Sequence, residues 1–188
     1  MRTIIIFILS ILIFTSHTYA QKKDNVIPWD AGRQLNWKDY NGQADNNAPN
    51  DARTFGGMNY EYQKQANGDL KFILYVTFDP KQSWVKKKKA TDYLLNHEQC
   101  HFDIYEIYGR ILMKQLHDQN IFKDKNFNNK VKELFQNNFH DMYKFQDEYD
   151  KETHHSEIEP KQKEWTEKIK AMLTQYKDYT SMEVIFKP

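Results

Sequence analysis

The sequence predicts an α+β fold: a small antiparallel sheet, built on a β-hairpin, followed by a long helix and two further helices. Three observations carry this. "TFGGMNYEYQKQ" (54–65) and "LKFILYVTFD" (70–79) are β-rich runs flanking "ANGD", and Asn-Gly between two such runs is a strong hairpin signal. From about Ala90 the apolar period changes from two to near 3.6. Two more helical stretches follow, and no internal repeat or interdomain linker interrupts them.

Residues 1–20 stand apart. Arg2 precedes the apolar run "IIIFILSILIF", and "SHTYA" offers Ala20 before a cut, so a cleaved secretory signal peptide is expected. The run is too short, and too abruptly followed by "QKKDN", to read as a spanning helix. Residues 21–188 then form one domain, exported to periplasm or medium, with no stable membrane insertion and a monomer expected. Without Arg2 the formal charge falls from +1 to zero, so no overall field draws the chain to nucleic acid. Aromatic residues make up 15%, which argues against disorder. Cys100 is the only cysteine, so the core, with or without a metal, must hold the fold in place of disulfides.

Residues 21–51 are polar and broken by Pro28, Gly32, Gly42 and Pro49, with "LNWKDY" as an apolar island; loop with one short strand is expected. The strand 70–79 is nearly continuous in apolar residues, as for a strand covered on its inner face and partly on its outer one. It is a candidate to line the cleft and pair with an extended substrate. Lys86–Lys89 oppose the dipole of the helix that follows and are expected in a solvated loop. On that helix Leu94, His97, His101, Ile104, Tyr105, Tyr108, Ile111 and Leu112 share a stripe ending near His117. A second helix is expected over 127–149, a third from Pro160 carrying Trp165, Ile169 and Leu173, and "SMEVIFKP" as a last strand or extended tail.

The chemistry lies in "LLNHEQCHFDIYE" (94–106). Four residues advance a helix by about 400°, so His97 and His101 point the same way one turn apart. That spacing lets two imidazoles hold one zinc ion, while Glu98, one step round, can reach a water on the metal as a general base. A sheet feeding such a helix is, by analogy, a zincin-like layout. Cys100 projects about 100° from His101 and reads as a packing residue.

Catalytic zinc generally takes three protein ligands. Asp103 points away from the pair, Glu106 lies about 140° round from His101, and His117 is roughly 24 Å along the helix. The third ligand must therefore come from another element. "YDKETHHSE" (149–157) is the densest candidate, offering His154, His155 or an acid within 150–157 as ligand, and Asp150 also as an acceptor that fixes a ligand's tautomer. Tyr149 is a candidate donor to the oxyanion formed during peptide hydrolysis. His140 reads as a surface residue.

Together, "LLNHEQCHFDIYE" and "YDKETHHSEIEPKQKEW" resemble a bacterial family of predicted secreted zinc-dependent proteases, an HExxH-containing domain of unknown function. The family pattern is LL-x-HEQ-x-HFDI-x-E, then YD-x-x-T-x-H-G and Q-x-x-W. Leu94, Leu95, His97, Glu98, Gln99, His101, Phe102, Asp103, Ile104 and Glu106 match the first block. Tyr149, Asp150, Thr153, His155, Gln162 and Trp165 match the rest, and "LNWKDYNG" and "SWV" look like its upstream features. The resemblance implies His155 as third metal ligand. Ser156 departs from it, standing where the family usually has a glycine suited to a left-handed backbone.

The expectation is thus a secreted zinc metalloprotease acting on peptide or protein substrates, with His97, His101 and His155 on Zn2+ and Glu98 and Tyr149 catalytic. The alternatives are a non-catalytic envelope module in which zinc ties helix to loop, and a metal-free interaction protein.

Overall fold

The computed structural model describes residues 26–119, 121–180 and 182–187; the expected signal peptide lies outside them. Strands are β1 (Ile27–Pro28), β2 (Ala52–Arg53), β3 (Gly56–Lys64), β4 (Leu70–Phe78), β5 (Trp84–Val85) and β6 (Glu183–Phe186). Helices are α1 (Asp92–Asp118), α2 (Phe127–Thr153) and α3 (Glu159–Gln175). The architecture is α+β: a small antiparallel sheet and three helices.

The hairpin β3–β4 forms as its sequence predicts, in register from Gly56↔Phe78 to Lys64↔Leu70. At its tip Gly68 takes φ 91°, a conformation that favours glycine, and Asn67 Oδ1 accepts from the Asp69 N–H at 3.1 Å. β4 is not an edge. β1 pairs with its Thr77–Phe78 end and β6 with Leu70–Ile73, on the side away from β3. Between them Trp29 N–H donates to Val76 C=O at 3.0 Å, and Leu74 N–H to Met182 C=O at 2.7 Å. Strand 70–79 therefore has no free edge for an extended substrate; among the described residues β3 lies at one edge of the sheet, and β1 and β6 at the other. The C-terminal "EVIF" is the strand that closes it, one of the two readings offered for that segment.

Along β4, Phe72, Leu74, Val76 and Phe78 turn inward and are buried, alternating with Tyr75 and its neighbours on the outer face. The inner face packs on α1, where Gly109 admits it: a Cβ there would stand 2.9 Å from Val76 Cγ2. Thr91 caps α1 by accepting the Leu94 N–H at 3.2 Å. The helix is buried on more than the single predicted stripe, because the sheet covers one side while α2 and α3 cover others. That accounts for its buried polar residues Glu98, Gln99, Glu106 and Arg110. α2 continues to Thr153, one turn beyond the expected 149, and α3 carries Pro160 in its first turn. Among the described residues no helix is long and apolar enough to cross a membrane. The lysine run forms a short 3-10 turn in which Lys89 pairs with Asp51 at 3.0 Å.

Gly56 and Gly57 offer a paired test of packing. A Cβ on Gly56 would meet the Tyr105 ring at 2.6 Å, whereas one on Gly57 meets nothing within 4 Å. Gly56→Ala should lower stability by about 1–3 kcal/mol, and Gly57→Ala should change it by less than about 0.5 kcal/mol, read from urea midpoints.

Candidate metal centre

α1 and α2 meet where the first is one turn and a half past its cap and the second is about to end. His97 and His101 come from α1, Asp150 from the last turn of α2. The two histidine Nε2 atoms stand 3.2 Å apart, and Asp150 Oδ1 lies 3.2 Å from that of His97 and 3.0 Å from that of His101. Ligands about 2.0–2.1 Å from a tetrahedral zinc are separated by roughly 3.3–3.4 Å, so all three edges lie slightly inside the spacing such an ion would set. Among the described residues this is the group of His, Cys, Asp and Glu able to hold a metal, with ligand atoms all within 4.8 Å of one another.

The outer nitrogens explain why the inner ones converge. His97 Nδ1 meets Gln162 Oε1 at 2.8 Å, and His101 Nδ1 meets Gln146 Oε1. Each glutamine is oriented by its own amide nitrogen. Gln162 Nε2 donates to the Tyr149 hydroxyl at 2.7 Å, and Gln146 Nε2 to the His101 carbonyl at 3.2 Å. With Nδ1–H donating outward, the Nε2 lone pairs face the shared point, the tautomer that metal ligation needs.

Two oxygens at the centre lack the partners expected of buried acceptors. Asp150 Oδ1 and Glu98 Oε2 are buried without a hydrogen bond, the former despite its close approach to both rings. Buried acceptors are normally paired, so an oxygen left this way marks a place where another partner belongs. Burial would depress the basicity of His101, but Asp150, Glu98 and Gln146 outweigh it and push its pKa up to about 9. Burial would likewise raise Asp150, yet His101 and His97 hold its carboxyl far below the usual range. A proton on His101 thus serves as the site's cation when no metal does.

The other expected residues fall as follows. Glu98 is buried beside His97 on the neighbouring face of α1, with the Thr54 hydroxyl donating to its carbonyl at 3.3 Å. His155 is outside the compact group: its Nδ1 lies 3.5 Å from Asp150 Oδ1 and its side chain is 49% exposed. Of the ligand candidates within 149–157, Asp150 is the one that supplies a third converging atom. Tyr149 is fully buried, its ring stacked on His97 at 4.6 Å and its hydroxyl donating to the His97 carbonyl at 3.3 Å. Burial pushes that phenol far up. Its placement gives no support to an oxyanion role; it holds His97 in position.

His154 turns to Glu157 at 2.6 Å, and His117 lies beside Asp118 at the exposed end of α1. Asp103 accepts from Trp29 and Gln99, and Glu106 pairs with Arg110 at 2.8 Å, both away from the centre. Cys100 is buried against Thr166, and burial pushes its thiol up to about 11. Gln146 escaped notice in the sequence, although its position four residues before Asp150 puts it on the same face of α2. Gln162 was visible only as part of a pattern. Beyond α2, His154, His155 and Ser156 are all left-handed, with φ of 48°, 52° and 75°. Such backbone costs a non-glycine residue about 1–2 kcal/mol, and Ser156 stands in it where the resemblance calls for glycine.

Comparison of the chain with family profiles, with curated proteins and with solved structures finds no match. What fold and side chains define is therefore a class: an α+β chain with a three-ligand candidate metal centre, two histidines from one helix and a carboxylate from the next.

Asp150→Ala should weaken zinc binding by more than the roughly 10–100-fold expected for loss of a supporting partner, while Gln146→Ala and Gln162→Ala should fall within that range; chelator competition measures both. Zinc uptake at pH 7.5 should release about one proton, read by calorimetry in buffers of different ionisation enthalpy, and the release should fall to about half near pH 9 and fade at higher pH. The raised histidine also sets the metal-free stability. Its contribution is complete below the unfolded value near 6.5 and is lost as pH rises through about 9.

Proposed function

We propose that the chain is an exported zinc-dependent peptidase whose centre is His97, His101 and Asp150, with Glu98 as general base. The observation that carries this reading is a ligand set of three atoms among the described residues, with a buried carboxylate oxygen of Glu98 left without a hydrogen bond. A structural zinc site is closed by four protein ligands, whereas a catalytic one keeps a position open. The solvent border of the centre is formed by Asp150, 29% exposed, and His155, 49% exposed. The motif resemblance supports the same activity, and the layout of sheet and helix is compatible with a zincin-like fold.

A zinc ion held there supplies Lewis acidity, lowering the pKa of water toward neutrality and polarising a carbonyl. The chain's own residues do the rest. Glu98, free of other hydrogen bonds at Oε2, accepts a proton from the attacking water and delivers it to the leaving amine. Gln146, Gln162 and Tyr149 keep both imidazoles aimed while this happens. The free edge of β3 is the surface able to pair with an extended peptide, and it starts two residues after Thr54, which touches the Glu98 backbone.

Glu98→Gln preserves volume and hydrogen-bonding shape but cannot take the proton. Zinc content should be unchanged and hydrolysis of a peptide library should fall by about 10²–10⁴. A wild-type protein that binds zinc and cleaves nothing would instead favour a non-catalytic, zinc-stabilised envelope module.

A further inference from the structure

The end of α2 is built in an unusual way. A helix commonly closes with one left-handed residue, usually glycine, whose N–H bonds back to the last turn. Here the left-handed stretch runs through His154, His155 and Ser156, and none of them is glycine. The first of these suffices to end the helix. The next two fold the chain back over its own terminus, with the His155 N–H donating to the Asp150 carbonyl at 2.9 Å and the Ile158 N–H to that of Thr153 at 2.9 Å. The result puts the His155 ring beside Asp150 Oδ1, the same oxygen that meets both Nε2 atoms. Unfavourable backbone of this kind persists where the surroundings impose it, and it concentrates at functional sites.

The ring is on the exposed border of the centre and outside the group of three ligand atoms. Nδ1 stands 3.5 Å from Asp150 Oδ1 without a hydrogen bond to it, which leaves the ring free to carry its proton on Nε2. We propose that His155 is a catalytic residue, not a metal ligand: it lends an N–H to the scissile carbonyl oxygen as that oxygen gains negative charge. This takes over the part that the buried Tyr149 hydroxyl has no access to play. The step is balanced without a proton from His155. Water oxygen bonds to the carbonyl carbon, the carbon–nitrogen bond breaks, and Glu98 carries the proton from water to the amine. His155 contributes only a hydrogen bond that strengthens as charge develops.

The inference rests on the peptidase reading, and the test separates the two. Zinc-loaded wild type, His155→Ala and His155→Gln are compared for zinc stoichiometry, for kcat and KM on a cleaved peptide, and for calorimetric affinity toward a phosphinic peptide that mimics the tetrahedral state. All three proteins should carry equal zinc. His155→Ala should lose about 10²–10³ in kcat with KM little changed, and a comparable factor in phosphinic affinity. His155→Gln, which keeps an N–H donor, should recover part of both. Loss of zinc in His155→Ala would make His155 a ligand and overturn the proposal. So would retained zinc with kcat and phosphinic affinity within roughly threefold of wild type. An inactive wild type whose phosphinic affinity is indifferent to His155 would sink the peptidase reading and this role together.

Discussion

The organisation of this protein depends on one constraint: a helix buried on several sides carries two histidines that must each satisfy a buried N–H while presenting a lone pair to a common point. Two glutamine amides meet it. Gln162 comes from α3 and Gln146 from α2, so both flanking helices must be docked before the histidines are aimed. Tyr149 joins the arrangement by lying under His97, accepting from Gln162 and donating to the His97 carbonyl. The centre is thus coupled to the packing of all three helices rather than to α1 alone.

Charge balance follows from the choice of amides. Neither outer partner of the histidines is ionised, so Asp150 and Glu98 are the negative groups around the shared point. A dication satisfies both, and in its place a proton on His101 satisfies only part of the demand, leaving Glu98 Oε2 without a partner. The same reasoning separates this centre from the Glu106–Arg110 pair further along α1, where each charge already has its counterpart.

The α+β class, the hairpin and the three helices were legible because period and turn chemistry act locally. The edge status of β4 was not. It is set by β1 and β6, segments of two and four residues brought from opposite ends of the chain, and strands so short leave little pattern. His97, Glu98 and His101 were legible as a set because helical geometry alone fixes their mutual direction. The residues after 149 were harder. Whether α2 stops at 149 or 153 decides whether Asp150 is a loop residue or a helical one facing α1, and helix ends are set by packing as much as by sequence. The extra turn brings the carboxylate in and moves His155 to the border. The burial of Tyr149 was hard to foresee for a related reason: an aromatic with a polar tip suits a cleft or a core equally, and only its neighbours decide.

His97, His101 and Asp150 are proposed to share one metal ion. Anomalous diffraction at the zinc edge from crystals of the zinc-loaded protein tests it most directly. A single strong peak is expected about 2.0–2.2 Å from both histidine Nε2 atoms and Asp150 Oδ1, with His155 beyond bonding distance. A peak bonded to His155 in place of Asp150, or no peak between α1 and α2, would contradict it.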